Sequence, residues 1–223
     1  IICEKPVALN LADLRSVQEA VRAAGVNFCV CFELRFSSQF MQTAALIGAG
    51  ALGKIHYGEI DYYHGIGPWY REYEWCVTNE GCGSSLLAAG CHALDALLLC
   101  MGADVDEVSC WGTNSAHPIY KVYQYPSTSV TMLRFKSGAI GKCASVIDCF
   151  QPYYFHTHLV GSEGSLLDNK LQSNTEPGAD RNRWRELPFR PVDSGDVADH
   201  PYRKQFESFF EAIHSGKPID RKS

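Results

Sequence analysis

One strand–helix–strand unit opens the chain and is never repeated. That change of pattern limits what the chain can build. Residues 1–3 end an apolar, β-prone run. Asn10 is a helix N-cap with Asp13 at the third helical position, and Leu11, Leu14, Val17, Ala20 and Val21 come next at helical spacing until Gly25 stops the helix. Residues 26–32 are β-rich again. A parallel α/β unit of this size is too short to be a complete domain.

Beyond residue 32 the rhythm is different. A helix starts at Ser38, a long strand covers 54–64, and 65–85 is crowded with turn formers and aromatics. Ser84 or Ser85 can cap a helix over 86–101 that Gly102 ends. Strand patterns then succeed one another at 107–113, 127–135, 138–149, 153–161 and 164–169, with a hairpin turn at 136–138. Residues 173–200 read as a polar surface loop. A closing helix begins near Pro201, carries Phe206, Phe209, Phe210 and Ile213 on one face, and stops at Gly216. The fold expected is α+β: an antiparallel sheet with helices, preceded by the remnant of a parallel α/β domain. The division expected is 1–32 for the remnant and 33–223 for the α+β domain.

Several function classes fall away. The net charge of -5 offers no basic footprint for nucleic acid. The most apolar stretch, around 84–102, is broken by His92 and Asp95, so no membrane span is expected. Ten cysteines form no C-x-x-C pair and mostly sit in apolar runs, which suits small buried hydrophobes in a reducing cytosol rather than a disulfide scaffold.

Two residues could carry chemistry. Lys5, in Glu4-Lys5-Pro6, sits directly after a strand, where open α/β sheets gather ligands; its ammonium could stabilise a developing alkoxide. The plainer reading is a solvated turn. His92 lies in a helix behind Gly90, a residue that lets something approach closely. It is either a core histidine or an acid/base. Asp95, three residues on, shares its face, as a structural hydrogen-bond partner or as a contact to substrate. His156 and His158 alternate on a strand and face one side, as a metal pair or, the preferred reading, as sheet surface against a neighbouring subunit; no metal is expected.

Taken in order, the strand–EKP–helix unit, "ELRFSSQFMQTAALIGAGALGKIHYGEID", "GSSLLAAGCHALDALLLCMG" and "YRKQFESFFEAIHSGKP" resemble the Gfo/Idh/MocA oxidoreductases across nearly the whole chain. The resemblance implies an α+β domain with a large, mostly antiparallel open sheet and helices on one face, preceded by the remnant of a Rossmann α/β domain, and an NAD- or NADP-dependent dehydrogenase acting on the CH–OH group of a sugar, polyol or related small hydroxyl compound. It implies a cytoplasmic homo-oligomer assembled through the open sheet. Glu4, Lys5 and Pro6 would face the cofactor, and His92 would take the hydroxyl proton. Arg35 matches a basic residue on the substrate side, with a surface ion pair as its rival reading. Trp69 and Tyr70 fall in a variable loop where aromatics could stack on a sugar ring or simply pack. The family's aspartate four residues before the histidine is Ala88 here, which removes one orienting carboxylate unless another residue supplies it. No G-x-G-x-x-G stands between a strand and a following helix of a βαβ unit, so the chain is expected to be a fragment inactive alone; the alternative is a non-catalytic binding or oligomerisation module derived from the family.

Overall fold

The structure is a computed structural model that describes residues 1–192 and 200–216. Strand β1 (Ile2–Cys3) and strand β2 (Cys29–Val30) pair in parallel as a separate two-stranded sheet, joined by helix α1 (Leu11–Ala24). The helix ends are those the sequence indicates: Asn10 Oδ1 accepts from the Asp13 amide at 2.9 Å, and Gly25 takes the left-handed conformation at φ 61°. The second strand is shorter than the β-rich run at 26–32, because two residues of β1 are all it has to pair with.

A 3₁₀ turn (Glu33–Phe36) leads to helix α2 (Ser38–Gly48), whose N-terminus is capped by Ser37. The main sheet contains β3 (Ile55–Tyr63), β4 (Val105–Thr113), β5 (Thr128–Phe135), β6 (Ile140–Val146), β7 (Tyr154–Gly161), β8 (Gly164–Leu167), β9 (Lys170–Ser173) and β10 (Arg185–Glu186). Its order is β10-β9-β8-β7-β3-β6-β5-β4, and every pairing is antiparallel except β3 with β6. A short helix α3 (Tyr73–Cys76) lies in the connection after β3. A π-helical turn (Leu86–Gly90) then runs straight into helix α4 (Cys91–Met101), and Ser84 Oγ caps the turn by accepting from the Leu87 amide.

Helix α4 buries Ala93, Ala96 and Leu97 against β3 and β6, beneath Ile60, Tyr62, Leu133, Cys143 and Phe155. Glycines let it lie that close. A Cβ at Gly58 would meet Met101 Sδ at 2.2 Å, and one at Gly90 would meet Ser145 Cβ at 2.4 Å. The close approach that Gly90 permits is therefore to β6.

A second cluster joins Leu52, Leu159, Leu166, Leu171, Leu187 and Phe189. Two of these correct the expectation of a plain surface loop over 173–200: Leu187 and Phe189 turn inward beside β10. Residues 193–199 of that stretch lie outside the described residues. Helix α5 (Tyr202–Ser215) packs on the 3₁₀ turn through Gln205 and Phe209, while Phe210 and Ile213 of its apolar face stay exposed. Among the described residues no helix is long and apolar enough to cross a membrane.

Candidate active site

Two parallel strands that end side by side deliver the first two groups of the site. Lys5 lies two residues beyond β1, and Glu33 three residues beyond β2. The Lys5–Pro6 peptide is cis. Lys5 Nζ donates to the Ala88 carbonyl at 2.8 Å, in the π-helical turn that leads into α4. A π turn widens the helix and redirects its side chains, a device common at functional sites.

The third group, His92, stands in the first turn of α4 and is 4% exposed. Tyr62 stacks on its ring at 6.1 Å and Phe32 meets it edge-on at 5.8 Å. Its Nε2 is 3.8 Å from Glu33 Oε1, and the same oxygen lies 3.0 Å from His200 Nδ1. Glu33 is 1% exposed. The position four residues before His92 is Ala88, so the chain supplies a carboxylate from the 3₁₀ turn instead of from α4. Sequence reasoning missed Glu33 and His200. The signal available for Glu33 was its place after a parallel strand, the same argument that singled out Lys5. His200 lies 167 residues from Glu33, and no local pattern points to it.

Two buried atoms here make no hydrogen bond among the described residues: Glu33 Oε2 and His92 Nδ1. Buried polar atoms are nearly always satisfied, so orphaned ones in a cluster of titratable groups mark where a ligand's polar groups can bind.

Electrostatics keep the imidazoles neutral. Burial, then the Lys5 ammonium and His200, hold His92 well below its usual range. The same causes in the same order bring His64 down to about 4. His64, at the end of β3, is packed edge-to-face with Tyr70 and Tyr153. A neutral imidazole can accept a proton, and a nearby ammonium can stabilise the oxyanion that proton leaves behind.

The remaining candidates separate. Arg35 and Asp95 hold each other through two hydrogen bonds, Nε to Oδ2 at 2.7 Å and the second guanidinium nitrogen to Oδ1 at 2.5 Å. That pair ties α4 to the 3₁₀ turn one helical turn beyond His92. Trp69 is 61% exposed; its indole donates to the Gly65 carbonyl at 2.9 Å and its ring lies over Gly67. Tyr70 is half-buried against His64, and Glu4 is exposed. Cys76 and Cys82 adjoin the site as a hydrogen-bonded thiol pair at 3.5 Å, and the hydrogen bond from Cys82 brings the Cys76 thiol down to about 7 against the effect of burial. All ten cysteines are free, and Cys110 is exposed rather than buried.

Comparison with known proteins identifies the family of the chain. Residues 40–167 match the sequence model of the GFO/IDH/MocA C-terminal domain. The chain is 25% identical to myo-inositol 2-dehydrogenase of Thermotoga maritima over 218 residues, which is 98% of this chain and 63% of that protein. It is 22% identical to D-xylose 1-dehydrogenase (NADP(+)) 2 of Haloferax volcanii over 228 residues, covering 99% and 65%. The chain thus spans under two thirds of the length of these curated relatives. A levoglucosan dehydrogenase solved in complex with NADH superposes with a TM-score of 0.78 at 20% identity, over 97% of this chain and 64% of that one.

Proposed function

The chain belongs to the Gfo/Idh/MocA family, and on that premise we propose that it is the substrate-binding part of an NAD(P)-dependent dehydrogenase acting on a sugar, polyol or related hydroxyl compound. The observation that carries the reading is the convergence of Lys5, His92 and Glu33 around two orphaned buried atoms. A nicotinamide dinucleotide, when bound, takes the hydride from the substrate carbon.

Lys5 fits the nicotinamide end of such a cofactor: a partly buried ammonium at a strand tip, fixed by a backbone carbonyl. No strand-to-helix turn of this chain carries the phosphate-cradling G-x-G-x-x-G; the one such run, residues 48–53, leaves α2 and leads into β3, the reverse order. Glu4 and Pro6 flank Lys5 and shape that end of the site. His92, neutral and in the first turn of α4, accepts the hydroxyl proton. Glu33 beside Nε2 stabilises the imidazolium that results, the work an aspartate at position 88 would otherwise do. Lys5 offsets the negative charge growing on the substrate oxygen. Trp69 and Tyr70 lie in the connection after β3 and offer flat apolar faces to a sugar ring. Arg35 and Asp95 act on each other and hold Glu33 in register with His92.

The domain division proposed is 1–32 and 33–223, supported by the separateness of the two sheets. The open face of the large sheet is the proposed homo-oligomer surface. The relatives' names favour polyols and aldoses as substrates, and NAD and NADP both remain candidates.

The test is a substrate screen with NAD+ and NADP+ on the longest protein that contains this chain. Oxidation of one polyol or sugar is expected, with His92→Ala lowering kcat about 10²–10⁴-fold and Lys5→Met lowering it with little change in fold. Turnover that survives His92→Ala would overturn the assignment. Absence of cofactor binding and turnover in the wild type would favour a non-catalytic module, the reading to which Ala88 alone lends weight.

A further inference from the structure

We infer that the open face of the large sheet carries a divalent transition-metal site built from Glu59, His156 and His158, of the kind that takes zinc. Strand alternation puts these residues on the side of the sheet opposite His92: on β3, Ile60 and Tyr62 enter the helix-side core while Glu59 and Asp61 face away, and on β7, Phe155 and Leu159 enter it while His156 and His158 face away. The antiparallel register sets Glu59 directly beside His158 and Asp61 beside His156. Each of Glu59, His156 and His158 offers a ligand atom within 4.8 Å of the other two. Around zinc, bonds of about 2.0–2.2 Å put tetrahedral donors about 3.4 Å apart, so modest side-chain rotations close the set.

A second observation, independent of that spacing, points to a metal. Asp168 folds back from the turn after β8, at φ 53°, and its Oδ1 lies 3.2 Å from His156 Nδ1 while also accepting from the Thr157 amide at 3.0 Å. The Tyr154 hydroxyl is 2.9 Å from the same nitrogen and donates to Asp168 Oδ2 at 2.6 Å. A carboxylate on one imidazole nitrogen fixes the tautomer and turns the lone pair of the other outward, as the outer partners of metal-binding histidines do. Here that leaves Nε2 open.

Charge agrees. Among the described residues Glu59, Asp61 and Asp168 face one lysine, Lys142, which holds Glu59 and sits 2.8 Å from Asp61 Oδ2. With neutral imidazoles, two negative charges stay uncompensated, which matches one divalent ion. When Glu59 turns to the ion, Lys142 keeps Asp61. Three protein donors leave a fourth position for water or for a donor from an apposed surface. Two imidazoles and one carboxylate suit zinc, cobalt or nickel better than magnesium or calcium.

The test is titration of the full chain with Co2+, whose visible bands report donor type and geometry. Saturable uptake of one equivalent on nitrogen and oxygen donors is expected. His156→Ala and His158→Ala should each abolish it, and Asp168→Asn should weaken it by about tenfold or more. Circular dichroism checks that each variant is folded, and His158→Ala, at the surface, is the variant least able to disturb the fold. No uptake by the wild type, uptake unchanged in both histidine variants, or spectra showing only sulfur-to-cobalt bands from the free cysteines would each overturn the proposal.

Discussion

The most informative single residue is Glu33, because in the proposed mechanism it supplies the carboxylate that Ala88 does not. A carboxylate that is 1% exposed needs partners, and Glu33 has His200 on one oxygen and His92 within reach of it. Replacing it with Gln keeps the volume and removes the charge. Loss of a charged interaction of this kind costs about 1.5–3 kcal/mol, so Glu33→Gln should lower kcat roughly 10–100-fold in the cofactor-competent protein, with KM less affected. An unchanged kcat would return the orienting role to some other group. The histidines give a pH prediction with a definite sign. His64 titrates near 4 when folded, against an ordinary value near 6.5, chiefly because it is buried. The unfolded chain therefore binds more protons than the folded one between those values. Stability from this residue is complete above pH 6.5 and falls by about 3 kcal/mol as pH drops towards 4, and His92 adds in the same direction. Urea midpoints measured from pH 7.5 to 4.5 should decline, and His64→Asn should flatten the slope. A slope identical in that variant would mean the imidazole is not held neutral.

At the scale of elements, the position of α4 on the sheet decides whether His92 can meet Glu33 at all. Gly90, just before α4, is one point of close contact, with Ser145 of β6 occupying the space a side chain would need. Gly90→Ala should force α4 away from β6 and cost about 1–3 kcal/mol, seen as a lower Tm, together with weaker activity because His92 is two residues away. Gly25→Ala is the control: no atom lies within 4 Å of its Cβ, and only the backbone strain of φ 61° opposes it, far from the site. A larger loss at Gly25 than at Gly90 would contradict this account of how the helix is seated. The Arg35–Asp95 pair works on the same joint from the other side, tying the 3₁₀ turn to α4 three residues beyond His92.

For the whole molecule, the two sheets divide the labour: the small parallel sheet presents Lys5 and Glu33 at its strand ends, and the large sheet seats α4 and His92. With its one G-x-G-x-x-G run, residues 48–53, joining a helix to a strand rather than a strand to a helix, the isolated 223-residue chain should not quench or shift NADH fluorescence at micromolar concentrations, and it should turn over no substrate. Tight NADH binding by this chain alone would show that these residues suffice for the cofactor. Local chemistry made most elements readable without coordinates. Asn10 and Gly25 bound a helix, Gly138 at φ 85° turns a hairpin, and alternating runs become strands, because caps, turns and pleats are set by residues a few positions apart. Lys5 and His92 could be singled out as candidates for the same reason, each standing at a recognisable joint. Glu33, His200 and the inward turn of Leu187 and Phe189 were not, since each depends on a partner brought near only by folding. Sequence alone determined the elements, their order and the chemical types at hand. The tertiary structure decided which charges meet, because burial and distance, rather than spacing along the chain, set whether a carboxylate, an imidazole and an ammonium act on one another.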